Sequence, residues 1–472
     1  MTVSTLLKRY TANIRWLICI IPIFLIVTLL FYHHTFDQSF FLDDYIFVER
    51  STIGSFADLL NLFSTSQNTI FYRPISTNVY FGTLQLMFGP HPIYFHISNT
   101  ILLAINGVLL YLILAKFGLK KYISAAAALL YIMNPISFDS QRWISVCQEL
   151  LSILFFLSSL LFYMYSGYRT LSTKYFLSIF SFILALLSKE MAITLPGVLL
   201  LLHLTVERHH SIKEILRKFG PFVIVTILFF LLRSQFLIYP NEGAYSLEFG
   251  SFLSEHIRTY IAWAIDGILL VKSNLFIVAV SLFIPIIVAF FANADRRKVM
   301  LFGAGWAGGT LLPVLILPFH IYSYYLMLPI IGLYIVFAVC IDYLTSLCKK
   351  RIYIPYTLLS FWLLFFAYTT YNQFTVVAKN HGNFTERLDR VTQQVQAFVP
   401  HISDNTTFYF VFPADFPTEL FIFNGGSILR IAYNNPTVKA IPIDIAHVST
   451  IEKNSLHYIF QLQPNGKLVP LK

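Results

Sequence analysis

Two adjacent carboxylates, Asp43 and Asp44, are the side chains of this sequence that best fit catalysis. They lie in the segment Phe36–Phe47, with apolar residues on both sides. Near a membrane interface, desolvation and mutual repulsion favour protonation of one carboxylate in such a pair, and a carboxylate tuned in this way can act as a general base. The alternative interpretation is a solvated acidic turn between two interfacial segments.

Three basic residues could meet an anionic substrate. Arg73 precedes a proline at the entry to the next element. A planar guanidinium can donate two hydrogen bonds at once to phosphate oxygens. Lys189 could serve as a point charge for a phosphate, although a mutual salt bridge with Glu190 at a helical turn is the alternative. Arg233 lies roughly 20 Å along a predicted helix beyond Pro221, a depth that suits a lipid head group.

Four further polar residues are candidates for substrate contact. His96 and Asn99 are three positions apart and therefore share one helix face. Glu149 follows Arg142 by seven positions, which predicts that they lie nearly in line on one helix stripe. Polar residues at membrane depth are functional candidates. The alternatives are polar contacts between helices for His96 and Asn99, and an ion pair or hydrogen bond to a neighbouring helix for Glu149.

The composition identifies the elements that must position these side chains. Of the 472 residues, 57% are hydrophobic and only 12% are charged, whereas soluble domains carry about 25% charged residues. Apolar runs approach the roughly 20 residues that cross a bilayer as a helix. An ordinary cytosolic enzyme is therefore excluded, and we expect a polytopic all-α membrane protein. The sequence contains no phosphate-binding glycine loop, zinc-binding helix pair or nucleophile elbow.

The distribution of basic residues predicts the topology. Although the net charge is +10, basic residues gather in six clusters between apolar segments, which marks these clusters as cytoplasmic loops. The amino terminus is then cytoplasmic, the carboxyl end is outside, and two large outer loops cover 34–93 and 241–273. Acidic residues, which were not used for this assignment, fall mainly on the outer side. About eleven spans are predicted: 14–33, 94–115, 122–138, 144–166, 175–188, 191–206, 219–239, 274–292, 299–318, 323–345 and 352–371.

The last hundred residues have a different pattern. Apolar residues from Phe384 to Phe398 recur at steps of four and three, which predicts an amphipathic helix. We therefore divide the chain into a membrane domain, 1–371, and a small extracytoplasmic α/β domain, 372–472. Turn residues in the second domain separate five predicted strands: Thr407–Phe412, Leu420–Phe423, Ile428–Tyr433, Val438–Ile443 and Tyr458–Leu462.

Six stretches in one order resemble the GT-C superfamily of polytopic glycosyltransferases. Within it, the chain is similar to the transmembrane and TPR-repeat O-mannosyltransferases and their bacterial relatives, without the TPR array. The likeness covers residues 36–200 well and the rest thinly. The matching stretches are Leu42–Tyr45, Tyr72–Ser76, Phe95–Asn99, Ala128–Pro135, Trp143–Ser145 followed by Glu149–Leu151, and Ser188–Pro196.

This resemblance implies transfer of a sugar from a polyprenyl-phosphate donor to an acceptor hydroxyl at the outer face, with inversion. By the match, Asp43 or Asp44 is the base, and Lys189, Arg73 and Arg233 neutralise the phosphate. The acceptor could be a glycan, a lipid or a protein, and no nucleic acid is expected. We expect no cofactor and no obligatory metal, because hard cations require several oxygen ligands around one position. The remaining predicted substrate-binding residues are His96, Asn99, Arg142, Glu149 and Glu190.

The sequence also departs from the family pattern. Cys147 and Gln148 precede Glu149 where relatives often have basic residues, and Ser323 and Tyr324 stand where a Glu-Arg pair is common. Two other classes of function are therefore kept. One is a transporter or flippase of lipid-linked saccharides, which predicts inverted repeats and polar residues at mid-membrane in both halves. The other is a non-catalytic membrane assembly protein.

Overall fold

Most of the chain folds into helices. The computed structural model describes residues 3–51, 53, 58, 61–63, 71–167, 172–206, 212–234, 250–270, 272, 274–348, 353–413, 421–451 and 456–471. The α-helices before the carboxyl-terminal sheet are α1 Val3–Tyr32, α2 Asp43–Arg50, α3 Tyr80–Phe88, α4 Pro92–Lys116, α5 Lys121–Ile132, α6 Asp139–Arg142, α7 Cys147–Ser166, α8 Thr173–Ser188, α9 Leu195–Thr205, α10 Ile212–Ser234, α11 Phe252–Leu269, α12 Leu275–Phe291, α13 Ala294–Leu315, α14 Pro329–Leu347 and α15 Tyr353–Phe398.

Many of these helices are apolar enough to cross a membrane. Six are also long enough, and they are Ile18–Thr35, Pro92–Lys116, Ile144–Ser166, Lys213–Ser234, Ala294–Leu315 and Pro329–Leu347. Four shorter apolar helices lie between them, at Lys121–Ile132, Thr173–Ser188, Glu190–Thr205 and Phe276–Phe291. The protein is therefore a multi-pass membrane protein by length and composition, while the count of eleven spans stays a prediction.

Polar side chains at loop ends fix where several helices begin. The side-chain oxygens of Asn274 and Asn293 accept hydrogen bonds from the backbone amides of Ile277 and Arg296, each at 2.9 Å. Such caps satisfy amides that have no partner inside the helix. The predicted outer loop 241–273 also contains a helix, α11, in its described part.

The main hydrophobic core lies among the long helices. Helices α13 and α14 pack closely at Gly303, where an added Cβ would come within 2.6 Å of the Gly332 carbonyl oxygen. Gly305, two positions further along α13, faces Leu201 instead. Two positions along a helix correspond to about 200° of rotation, so Gly303 and Gly305 lie on different faces of α13.

A four-stranded sheet follows α15. Its strands are β1 Thr407–Val411, β2 Lys439–Pro442, β3 His457–Leu462 and β4 Leu468–Pro470, in the order β2-β1-β3-β4. Strand β1 pairs in parallel with β2 and β3, with Phe408 opposite Ala440 and Tyr458, whereas β4 is antiparallel to β3. Three of the predicted strands are thus confirmed.

Two predicted strands are wrong. The described part of Leu420–Phe423 and all of Ile428–Tyr433 belong to a kinked helical segment that ends in α16 Phe423–Tyr433. Three consecutive residues from Asn424 have positive φ angles and break any extended run. A helix is also what the topology requires here, because parallel strands such as β1 and β2 need a crossover connection.

Helix α15 joins the membrane helices to the sheet. It runs without interruption through the predicted domain boundary at 371/372, and its last turns bury Leu388, Val391 and Val395, which confirms the predicted amphipathic helix. The sheet residues share one hydrophobic core with Phe47 of α2 and with Phe81. The carboxyl-terminal unit therefore packs directly on the helix that carries the acidic pair.

Candidate active site

The acidic pair begins α2 immediately after a strained residue. Leu42 has φ 47° and ψ −115°, in the left-handed half of backbone space that leucine rarely adopts. The loop before it is held by Gln38, whose Nε2 donates to the Ala378 carbonyl at 2.7 Å, and by a hydrogen bond from Ser39 to Asp389. Asp43 and Asp44 therefore lie in the first turn of α2, where the helix dipole favours a carboxylate.

The two carboxylates have different surroundings. Asp44 is fully buried, and its Oδ1 accepts from both the backbone N of Ser145, at 2.7 Å, and the Ser145 hydroxyl. Its Oδ2 accepts from the Phe41 amide at 2.9 Å. Asp43 is only partly buried, and its carboxylate makes no hydrogen bond within the described part of the chain. Asp44 therefore fixes α2 against residues 144–146, while Asp43 can receive a proton.

Burial changes the pKa of both groups. Desolvation raises the pKa of Asp44 to about 7, although the hydrogen bonds from Ser145 and Phe41 act to lower it. Desolvation also raises the pKa of Asp43, whereas the positive charge of Arg73 lowers it. A carboxylate shifted upward is a stronger base than an ordinary surface carboxylate, which suits proton transfer near neutral pH.

We expect the thermal stability to depend on pH through Asp44. Its native pKa of about 7 lies above the ordinary value of 3.8, so its contribution to stability is complete below about pH 3.8 and is lost as the pH rises to 7. The unfolding midpoint of the wild type should fall across this window relative to that of Asp44→Asn, which does not ionise. A constant difference between the two midpoints from pH 4 to 8 would contradict this assignment.

Arg73 is buried and donates hydrogen bonds to two neighbouring side chains. Its Nε donates to Glu190 Oε2 at 2.7 Å, its Nη2 donates to Glu190 Oε1, and its Nη1 donates to the side-chain oxygen of Gln148. The guanidinium also lies 4.4 Å from the centre of the Phe71 ring. Gln148 thus occupies the position where relatives often have a basic residue, and it orients the arginine instead of repelling it.

Lys189 forms a second buried ion pair, with Glu149. The exposed fractions of the two side chains are only 5% and 3%. The rings of Tyr324 and Tyr325 lie beside the ammonium, with centres at 5.2 and 4.6 Å. The alternative of a mutual Lys189–Glu190 salt bridge is wrong, because the extended backbone at Lys189 directs neighbouring side chains to opposite sides.

Two more groups lie near these ion pairs. The charge of Arg233 interacts with that of Glu190, and the Arg233 Nε is buried without a hydrogen-bond partner among the described residues. Burial lowers the pKa of His320 to about 4, and the positive charges of Lys189 and Arg73 lower it further. A neutral imidazole therefore stands near two cations, Lys189 and Arg73, each of which is paired with a glutamate.

The remaining predicted site residues hold the structure together. His96 and Asn99 are fully buried. His96 Nδ1 is 2.8 Å from the Gln141 carbonyl, and Asn99 Nδ2 donates to the carbonyls of Ser140 and Ile144 at 3.0 and 3.1 Å. These contacts favour the alternative of polar links between helices, and we do not propose that either residue touches a ligand.

Arg142 does not lie on one helix face with Glu149, contrary to the prediction. Helix α6 ends at Arg142 and the chain becomes extended at Trp143, so Arg142 and Glu149 do not share a helix. Arg142 Nη2 pairs with Asp139 Oδ1 at 2.7 Å, and its Nη1 is 3.3 Å from His381 Nδ1. The predicted alignment is therefore wrong.

Sequence reasoning missed several residues of the site. Tyr324 and Tyr325, for which no site contact was predicted, are buried beside Lys189. Ser145 and Gln148 were not identified as partners of the acidic pair and of Arg73. Ser145 lies in a stretch that resembles the family pattern, whereas Gln148 stands where the sequence departs from that pattern. The hydrogen-bond partners of both residues are distant in sequence.

The far end of α2 is tied to the carboxyl-terminal unit. Arg430 of α16 donates from Nε to Glu49 Oε1 at 2.7 Å, and the Ser427 hydroxyl donates to Glu49 Oε2 at 3.2 Å. Arg430 is itself held by the carbonyls of Asn424 and Gly425, at 2.7 and 3.2 Å. The sheet unit therefore helps to fix the orientation of the helix that presents Asp43.

Loss of this contact should weaken the site without removing it. We expect Arg430→Ala to lower the catalytic rate about tenfold, because α2 then loses the ion pair at its far end. The charge swap Glu49→Arg with Arg430→Glu should recover part of the rate. The measurement compares the rates and the unfolding midpoints of the single and double variants with those of the wild type. Equal rates for wild type and Arg430→Ala would exclude this positioning role.

The helical architecture, with the acidic pair at the start of α2, can be compared with known proteins. Over 95% of this chain and 93% of the other, the structure is similar to ArnT from Cupriavidus metallidurans bound to undecaprenyl phosphate, with a TM-score of 0.52 and 14% identity. The chain therefore has the same fold as this ArnT structure. A second similar structure is the oligosaccharyltransferase AglB of Archaeoglobus fulgidus, in complex with an inhibitory peptide and a dolichol-phosphate. It has a TM-score of 0.52 and 10% identity over 97% of this chain and 74% of that one.

The sequence comparison agrees with this fold. The chain is 30% identical over 155 residues to Protein O-mannosyl-transferase TMTC3 of Mus musculus, a match that covers 32% of this chain and 17% of the mouse protein. The predicted resemblance to GT-C glycosyltransferases and to the O-mannosyltransferase branch is thus confirmed. No protein-family model matches the chain. Within its described residues, no group of three or more His, Cys, Asp or Glu side chains is placed to hold a metal ion.

Proposed function

We propose that this protein is a membrane glycosyltransferase that moves a sugar from a polyprenyl-phosphate donor to an acceptor hydroxyl, with inversion at the anomeric carbon. The observation that carries the proposal is Asp43, a partly exposed carboxylate without a hydrogen bond in the described structure, next to the charge of Arg73. Such a group can accept a proton from a hydroxyl brought within hydrogen-bond distance.

One carboxylate is sufficient for this reaction. The acceptor oxygen attacks the anomeric carbon from the side opposite the phosphate, and Asp43 takes its proton. The bond between that carbon and the phosphate oxygen breaks, and the leaving lipid phosphate keeps the electron pair. Because the phosphate carries this charge without protonation, no general acid is needed, unlike in a glycosidase. Asp43 then returns the proton to water.

The three cations that surround Glu190, which are Arg73, Lys189 and Arg233, suit a phosphate. Arg73 and Lys189 are each compensated by a glutamate, so these pairs are held in fixed positions without a large excess of charge. Arg233 adds a guanidinium whose buried Nε has no partner among the described residues. We propose that Arg233 binds the donor phosphate directly and that Lys189 and Arg73 stabilise the charge that develops on it.

The comparisons support a lipid-linked donor. ArnT and AglB, which share this fold, were each determined with a polyprenyl or dolichol phosphate, and TMTC3 is named an O-mannosyltransferase. We further propose that the protein lies in a bacterial inner membrane with a cytoplasmic amino terminus. Asp43 and the carboxyl-terminal unit then face the extracytoplasmic side. The basic clusters lie on the opposite, cytoplasmic side.

Transfer by the purified protein tests this function. We expect the protein, reconstituted in vesicles with polyprenyl-phosphate sugars, to form glycosides of inverted configuration, and we expect EDTA to leave the rate unchanged. Nuclear magnetic resonance of the product gives the configuration, and mass spectrometry of surface glycans from cells without the protein identifies the acceptor. Movement of donor between leaflets with no product would favour a flippase instead.

A further inference from the structure

A cavity of about 320 Å³ opens at the same end of the helical bundle as Asp43. Its walls come from α11, from the turn at Pro135, and from the two separate segments that carry Ser323 and Gln373. Helix α11 is fixed against the turn because Asn134 Nδ2 donates to the Gly267 carbonyl at 2.9 Å. The cavity is therefore a formed feature between anchored elements, at the lower end of the size range of small-ligand sites, roughly 300 Å³.

Trp263 provides an aromatic wall. Its side chain is half-buried and lines the cavity, and the ring of the fully buried Tyr260 meets it edge-on, with centres 5.6 Å apart and planes at 84°. This contact fixes the plane of the indole. A fixed aromatic face presents a flat apolar surface of the kind that packs against the CH groups of a pyranose ring.

Polar side chains of several kinds surround this face. Asp266 lies one helical turn after Trp263 and lines the same cavity, as do Lys272, Ser323 and Gln373. Together they offer a carboxylate, an ammonium, a hydroxyl and an amide. Such a set can both donate hydrogen bonds to, and accept them from, the hydroxyl groups of a sugar.

The cavity lies apart from the cations proposed to bind phosphate. Ser323 lines it, whereas the next residue, Tyr324, faces Lys189. The donor sugar is covalently attached to its phosphate and must therefore lie near those cations. A second saccharide, the acceptor, is what this separate cavity can hold.

Contacts connect the cavity to the acidic pair. The Ser323 hydroxyl donates to Asp139 Oδ2 at 2.8 Å, and Asp139 pairs with Arg142 at 2.7 Å. Arg142 is 3.3 Å from His381, whose ring lies 4.8 Å from that of Phe41. The amide of Phe41 donates to Asp44, so only a short series of side chains separates the cavity from the start of α2.

We infer that this cavity binds a pyranose ring of a carbohydrate acceptor, packed on Trp263. The inference rests on the proposed function and specifies its acceptor as a saccharide. A peptide acceptor fits the cavity less well, because an extended peptide is held by main-chain hydrogen bonds along a groove or a sheet edge. The walls here are helix sides and loops that present side chains.

Tryptophan fluorescence and transfer kinetics test the inference separately. The probes are methyl hexopyranosides, their disaccharides and a serine-containing peptide, added to the full-length protein in detergent. We expect at least one saccharide to change the fluorescence of the wild type and not that of Trp263→Phe. In transfer assays, Trp263→Ala should raise the acceptor KM about tenfold and leave the donor KM unchanged, with Gln373→Ala showing a smaller rise. Trp16→Ala, at an exposed position on α1, is the matched control.

The two proposals fail in different ways. If the wild type transfers sugar but the Trp263 and Gln373 variants bind and react like the wild type, the cavity is not an acceptor site. The same conclusion follows if only the peptide binds at Trp263. If the wild type transfers no sugar from any lipid-linked donor, the proposed function fails, and saccharide binding measured by fluorescence still decides whether the cavity holds a sugar.

Discussion

Replacement of Asp43 by asparagine is expected to lower kcat for sugar transfer by about a thousandfold, with the fold and membrane insertion intact. Asparagine keeps the size of the side chain but cannot take the acceptor's proton, and general bases contribute about 10² to 10⁴ in rate. Because Asp43 is partly exposed and makes no hydrogen bond in the described structure, its loss should hardly change the unfolding midpoint. Initial rates of product formation and thermal unfolding in detergent give both values.

Asp37→Asn is the matched control for this variant. Asp37 lies in the same loop but precedes the turn at Leu42, so its replacement should leave the rate unchanged. Asp43→Glu should retain part of the activity, since it keeps the carboxylate but moves it. A fully active Asp43→Asn together with an inactive but folded Asp44→Asn would show that Asp44 is the base and that the assignment from hydrogen bonding is wrong.

The second large effect is expected at the buried ion pair between Lys189 and Glu149. Glu149→Ala leaves an ammonium buried without its carboxylate, and removing one partner of a buried pair costs about 3–5 kcal/mol. The unfolding midpoint should therefore fall strongly. Glu386→Ala is the control, because its ion pair with Arg390 is exposed and such pairs contribute about 1 kcal/mol or less.

A double variant separates structure from chemistry at this pair. Glu149→Leu with Lys189→Met replaces both charges by apolar groups of similar size, which often restores the stability lost on breaking a buried pair. We expect the double variant to be folded and inactive, because the charge that stabilises the leaving phosphate is gone. A folded double variant that transfers sugar at the wild-type rate would limit Lys189 to a structural role.

The acidic pair and the general architecture could be predicted from the sequence because their signals are local. Apolar runs identify the helices, and the two aspartates are adjacent in the chain. The choice between them could not be predicted in this way. It depends on Ser145, which lies about one hundred positions from Asp44 and reaches it only after α2 packs against residues 144–146.

The partners in the buried ion pairs could not be predicted from the sequence either. Glu190 is next to Lys189 in the chain but pairs with Arg73, and Lys189 pairs with Glu149, because the extended backbone between them separates their side chains. The mistaken strand at Ile428–Tyr433 has a similar origin. Its β-branched and apolar residues favour a strand locally, but the parallel pairing of β1 with β2 requires a helix between them.

A structure of the protein with a bound polyprenyl phosphate tests the central claim most directly. We predict that electron cryomicroscopy in lipid nanodiscs will place the phosphate in contact with Arg233 and close to Lys189, with the Asp43 carboxylate facing the space where the sugar would be attached. A phosphate bound elsewhere on the protein, with Asp43 directed away from it into solvent, would contradict the mechanism.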